Sequence, residues 1–236
     1  MEKDYHRDTR LPGAFDLFNP SGKAFALNWW PFVAGWLTPI ILLIVPVIIF
    51  FGFHFQESAN GTLQNSGPSA GAAVNILAII LGILAIASML IFYGSYMTLL
   101  KYQSARGVKT TYRANFKQCL HYFWRVLGLY IVRNFIIFLG FLLLIVPGLF
   151  IWRRWMLAPF YLIDEDGKVF ESLDKSAADS KPFSKSIWGM TAVYIVLAVI
   201  SWVVPFIGGV ISTIGSVVYC CAQAIRYLQI KAVKAI

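Results

Sequence analysis

The chain has 236 residues, of which 58% are hydrophobic and only 13% charged, and its mean hydropathy is +0.69. A soluble domain carries about a quarter charged residues to cover a water-facing surface, so lipid must be the solvent for much of this one. The net charge of +9 raises nucleic acid as a partner, but the placement of the charges along the chain argues against it.

Residues 1–28 hold charges and a Pro-Gly pair but no apolar run of the kind a signal peptide needs. They are expected to form a cytoplasmic segment ending in a surface helix, capped by Asn19-Pro20-Ser21 and carrying Phe25, Leu27 and Trp29. Residues 29–236 are expected to form a single all-α domain, polytopic in the membrane. About six transmembrane helices would be paired in three hairpins, with amphipathic surface helices between them.

A hydrocarbon core of about 30 Å needs about 20 apolar residues in a helix. Residues 31–53 and 73–100 meet this without a charge in either. The polar stretch 54–72 between them, rich in Gly, Ser and Asn, reads as an exposed loop. Two further spans, 187–204 and 209–225, flank a tight turn at Pro205-Phe206-Ile207-Gly208-Gly209.

The middle of the chain admits two readings. Leu127 to Ile163 is apolar except for Arg133, Arg153 and Arg154, and as one helix it would run roughly 55 Å. Either 134–152 crosses once, or the chain turns at Pro147-Gly148 and returns as a hairpin of 127–146 and 149–163. The charge pattern favours the hairpin. With it, every basic residue other than those three arginines falls in a segment on one side, as the positive-inside rule requires. Six spans with both termini in the cytoplasm follow, in a cell membrane of bacterial inner-membrane type. The same basic face would meet anionic lipid headgroups, so the expected partners are membrane lipids, with protein partners open and no nucleic acid.

A unit of aromatic surface helix followed by hairpin recurs three times in outline. Each copy runs into a glycine (Gly35, Gly128, Gly189) and later reaches a branched pair before proline (Pro46, Pro147, Pro205). The glycine-to-proline spacings are unequal, so a common origin and chance interfacial clustering both remain open. The second surface helix, 112–125, spaces Phe116, Leu120 and Phe123 along one face beside Lys117, His121 and Arg125. The third, 169–180, sets Phe170, Leu173 and Ala177 against Glu171, Asp174 and Lys175.

One stretch has a familiar order: Leu142 through Ile145-Val146-Pro147-Gly148 to Arg153-Arg154, then Ala158-Pro159-Phe160 and Asp164-Glu165-Asp166-Gly167. It closes on Ser172-Leu173-Asp174-Lys175-Ser176 and Trp188-Gly189. Over residues 110–230 it resembles the membrane domain that accompanies some bacterial glycerophosphodiester phosphodiesterases, and related uncharacterised bacterial membrane proteins. In those families an apolar run, Pro-Gly, a basic residue, an acidic turn and an A-L-x-x-S helix recur in this order, and Ser172 stands where alanine is usual. The resemblance implies a six-helix membrane domain and the hairpin. It implies no activity, because no residues match the soluble catalytic barrel.

The chemistry-bearing residues are few. His6, His54 and His121 fall in separate segments, and Cys119, Cys220 and Cys221 form no spaced pair or quartet, so no metal site or other cofactor is expected. No phosphate loop, nucleophile elbow or zinc-protease motif occurs, and no enzyme is expected. Asp164, Glu165 and Asp166 could hold a divalent cation or simply form an acidic turn against the basic inner helices. Arg153 and Arg154 are the foremost candidates for function, since a charge in lipid needs a partner, a cavity or a route to headgroups. They would either snorkel or line a lipid-headgroup pocket. Arg133, Trp29, Trp30, Trp124 and Trp188 are candidate interfacial anchors. Gly208, Ser212, Gly215 and Ser216 form a small-residue stripe suited to close helix packing.

Overall fold

The computed structural model describes residues 11–38, 40, 41, 44, 48, 80, 82, 83, 86, 93–143, 145–203 and 207–234. The expected loop at 54–72 and the turn residues Pro205 and Phe206 lie outside the described residues, as do His6 and His54. Helix is the only extended regular structure among the described residues. The chain divides into two compact bodies, Val33–Gly94 and a larger one made of Met1–Phe32 with Ser95–Ile236.

In the smaller body, Ile40, Ile41, Ile44, Ile48, Ile80, Ile83 and Ile86 are all exposed. That surface suits a lipid solvent rather than water.

The larger body begins with a 3-10 turn, Phe15–Leu17, leading into α1, Phe18–Leu27. The cap expected at Asn19-Pro20-Ser21 therefore sits inside the first turn, where a proline is tolerated because that amide has no helical partner. Ser21 is buried and its hydroxyl accepts the amide of Cys221 at 3.0 Å. Nor does the boundary expected at residue 28 separate a free segment. Leu17 is enclosed, the Tyr219 hydroxyl donates to the Ala14 carbonyl (2.8 Å), and Arg226 donates to the Pro12 carbonyl (2.9 Å).

The surface helix expected at 112–125 and the span after it are one element, α2, Tyr112–Leu143. Its 32 residues rise about 48 Å, well beyond the hydrocarbon core, because nothing between Arg125 and Gly128 interrupts the ladder. The next element, α3, Ile145–Arg154, runs back against it. In a continuous helix, Gly140 and Gly148 would stand about 12 Å apart along the axis. Instead a Cβ built on Gly140 would lie 2.9 Å from the Gly148 Cα. A single continuous helix over 134–152 is thereby excluded, and the fold-back comes before Pro147 and Gly148. Pro147 occupies the first turn of α3, and Gly148 permits close helix contact instead of making the bend.

Neither returning arm is continuous. α3 gives way at 155–157 to α4, Ala158–Asp164, whose Pro159 has no amide hydrogen to continue the ladder. The freed Arg154 carbonyl accepts hydroxyls from Ser176 (2.7 Å) and Ser180 (3.3 Å) of α5, Val169–Ser180. That helix coincides with the expected third surface helix. After α6, Ser184–Val203, the expected span 209–225 appears as α7, Ile207–Val218, then a break at 219–221, then α8, Ala222–Lys234. The break persists because the Cys221 amide leaves the ladder for Ser21.

Among the described residues, three stretches are long and apolar enough to cross a membrane: α2, α6, and Gly208–Lys234 with its break. Their far ends are bare, with Leu142, Leu143, Trp202, Val203 and Val210 exposed. The packed core lies at the basic end, where Leu17, Phe32, Leu99, Leu157, Leu162, Phe183, Ile187, Tyr219 and Tyr227 are enclosed.

Candidate functional site

Arg153 and Arg154 do not act as a pair. Successive helical residues point about 100° apart, and here Arg153 turns inward, 7% exposed, whereas Arg154 is exposed. The Arg153 guanidinium donates through Nη1 to the hydroxyl of Ser184, the first residue of α6. Its Cζ lies 5.6 Å from the Phe150 ring centre and 5.9 Å from that of Trp188. The two rings meet edge to face at 6.1 Å. Such cation–ring contacts contribute about 0.5–2 kcal/mol each, less than the several kcal/mol it costs to strip a cation of water. Nε is enclosed without a hydrogen bond, and among the described residues no carboxylate reaches the guanidinium. The site is a buried positive charge held by one hydroxyl and two rings.

Of the expected anchors, Trp29, Trp30 and Trp124 are exposed, as a lipid–water boundary requires. Trp188 is not, because it closes over Arg153. Arg133 is half-buried beneath its own helix neighbour, with Cζ 5.9 Å from the Tyr130 ring centre. In the small-residue stripe, Gly208 is buried and Ser212, Gly215 and Ser216 half-buried. Gly215 faces Leu197 of α6, where a Cβ would come within 2.7 Å of a leucine methyl.

The acidic turn binds protein donors. Asp164 accepts from the Tyr102 and Tyr227 hydroxyls (2.7 Å from the latter) and from Lys231. Glu165 pairs with Lys175 at 2.8 Å and Asp166 with Arg125. Asp166 adopts a left-handed backbone, φ +49°, which aspartate tolerates better than most residues. Thirteen residues on, Asp179 takes the Tyr161 hydroxyl and Lys234 (2.7 Å). Burial pushes the Asp164 carboxyl up, but the hydrogen bonds from Lys231, Tyr102 and Tyr227 outweigh it and the net shift is downward. Burial and the Asp164 carboxylate together push the Tyr102 hydroxyl up to about 12. The tyrosines were not picked out from sequence, although Tyr227 and Lys231 stand four residues apart and so share a helix face.

Asn28 was missed as well. Enclosed at the end of α1, its side-chain amide donates to Ser104 (2.9 Å) and to the Val108 carbonyl (2.8 Å), and its oxygen accepts the Thr110 amide (2.8 Å). This holds the turn at Gly107, whose φ of +72° suits glycine.

Long apolar helices with bare far ends and a packed basic end define an all-α membrane protein. Residues 56–228, well over half the chain, match a family described as "Uncharacterised protein family (UPF0259)", and the chain belongs to that family. The match agrees with the broader half of the resemblance drawn from sequence, uncharacterised membrane proteins, and carries nothing about phosphodiesterases. No curated protein matches the chain. No solved structure matches it either.

Proposed function

We propose that this protein is a non-catalytic membrane module that engages an anionic lipid headgroup at Arg153, with scaffolding of partner proteins as an added role of its basic face. The carrying observation is an arginine only 7% exposed whose enclosed Nε has no hydrogen bond and which meets no carboxylate among the described residues. A buried charge left unpaired is strongly destabilising, and a phosphate group supplies both the countercharge and acceptors matched to a planar fork. In this reading six spans cross a bacterial inner membrane with both termini cytoplasmic, and the basic end faces the anionic leaflet. A module of this kind, with no reaction of its own, is also what the resemblance to phosphodiesterase-associated membrane domains would imply.

The test compares wild type with Arg153→Lys, Arg153→Gln and Arg154→Gln, quantifying phospholipid retained after delipidation and re-addition. Retention should fall in the order wild type, Arg153→Lys, Arg153→Gln, and stay unchanged in Arg154→Gln, whose parent side chain is exposed. Equal retention in all four would remove the site.

One observation favours a transporter of small molecules or lipids as the alternative. Both returning arms are broken, at 155–157 and 219–221, and discontinuous helices are a device by which transporters expose backbone groups to a substrate. Mass spectrometry of co-purified ligands separates the two: a defined lipid supports engagement, a bound water-soluble metabolite supports transport.

A further inference from the structure

We infer that the ligand at Arg153 is a monoanionic phosphodiester lipid whose headgroup alcohol is uncharged, of the phosphatidylglycerol kind. This rests on the reading that Arg153 holds a headgroup, and it names the class. One cation is buried at the site, and both Arg154, next to it in the chain, and Lys185, next to its partner Ser184, are exposed. One negative charge therefore neutralises the enclosed guanidinium, whereas a phosphomonoester, close to two negative charges at pH 7, would bring an uncompensated charge into the same enclosure.

Donor geometry points the same way. Nη1 is committed to Ser184, leaving Nε and Nη2 without a hydrogen bond among the described residues. Those two nitrogens form the side edge of the guanidinium, a parallel pair of donors that fits the two non-bridging oxygens of a diester. An ethanolamine or choline headgroup brings its own cation, which needs a carboxylate or a free aromatic face. Among the described residues no carboxylate pairs with Arg153, and the Phe150 and Trp188 rings already face its guanidinium. An uncharged alcohol carries no such requirement.

The experiment uses purified full-length protein, delipidated and exposed to micelles holding equal amounts of phosphatidylglycerol, phosphatidylethanolamine and phosphatidic acid with matched acyl chains. Native mass spectrometry reads what is retained, with dimethyl phosphate as a water-soluble competitor. Wild type should retain phosphatidylglycerol at least about tenfold over either rival, the ratio expected of one charge-assisted hydrogen bond. Arg153→Lys should narrow the preference and Arg153→Gln abolish it. If Arg153→Gln does not fold, the wild-type preference and its narrowing in Arg153→Lys still decide the matter. An Arg153-dependent preference for phosphatidic acid or phosphatidylethanolamine would overturn the class while leaving a headgroup at Arg153. No dependence on Arg153 at all would overturn both. Displacement of the lipid by dimethyl phosphate at the lipid's own concentration would show that the ligand is a free diester and overturn the lipid assignment.

Discussion

Gly140 and Gly148 stand back to back across the α2–α3 reversal, each on the other helix's backbone. A Cβ on Gly140 would come within 2.9 Å of the Gly148 Cα, and one on Gly148 within 2.8 Å of the Phe141 nitrogen. Backbone cannot swing aside as a side chain can, so the two helices approach at this point only without side chains.

Gly148→Ala should therefore lower stability by about 1–3 kcal/mol, the usual penalty of overpacking, seen as a reduced melting temperature in detergent. Gly209→Ala meets open space and should be neutral or slightly stabilising, since alanine is about 0.5–1 kcal/mol better than glycine in a helix. Identical melting temperatures for the two variants would mean the close crossing is absent.

At Gly215 the obstacle is the Leu197 side chain, which can move. Gly215→Leu should still destabilise more than Val210→Leu, because Val210 is exposed. Adding Leu197→Ala to Gly215→Leu should recover part of the loss. A strictly additive double-mutant cycle would show that these residues do not touch.

Asp164→Asn removes the carboxylate that gathers Tyr102, Tyr227 and Lys231, and should cost about 1–3 kcal/mol at pH 7. The folded-state pKa of Asp164 lies below its ordinary value. Its contribution is thus present above the unfolded carboxylate's pKa and lost as pH falls through the lower folded value. The gap between wild type and Asp164→Asn should close in acid, and a gap independent of pH would exclude the carboxylate as its source. Tyr102 acts in the opposite sense. Raised to about 12, it adds stability below its ordinary pKa near 10 and loses it as pH climbs toward the folded value.

The proposed orientation can be checked with a membrane-impermeant maleimide, the native cysteines Cys119, Cys220 and Cys221 all being buried. Thr62→Cys should label from outside in intact cells, whereas Lys109→Cys and Ala178→Cys should label only after permeabilisation. External labelling of Ala178→Cys would refute the six-span arrangement.

Apolar content, the surface helix at 169–180 and the fold-back within 127–163 were all legible in the sequence, because hydropathy, period and charge asymmetry are local signals. The place of the reversal was not. Pro147-Gly148 looks like a turn in one dimension, yet proline is equally at home in a helix's first turn, and only the position of Gly140 tells the two apart. The break at 219–221 was invisible for a similar reason: it depends on Ser21, 200 residues away. At the candidate site the sequence picked out Arg153, but treated Arg154 as its equal and Trp188 as a surface anchor. Which of two adjacent arginines turns inward depends on the phase of α3 against α6, and that phase is set by packing.

The Tyr219–Ala14 bond joins residues 205 apart, the Arg226–Pro12 bond 214, and the Cys221–Ser21 bond 200. The ribosome makes Ala14 and Ser21 about 200 residues before their seats. Contacts of such long sequence separation form late. These three bonds at the basic end can therefore form only once Tyr219, Cys221 and Arg226 have been made.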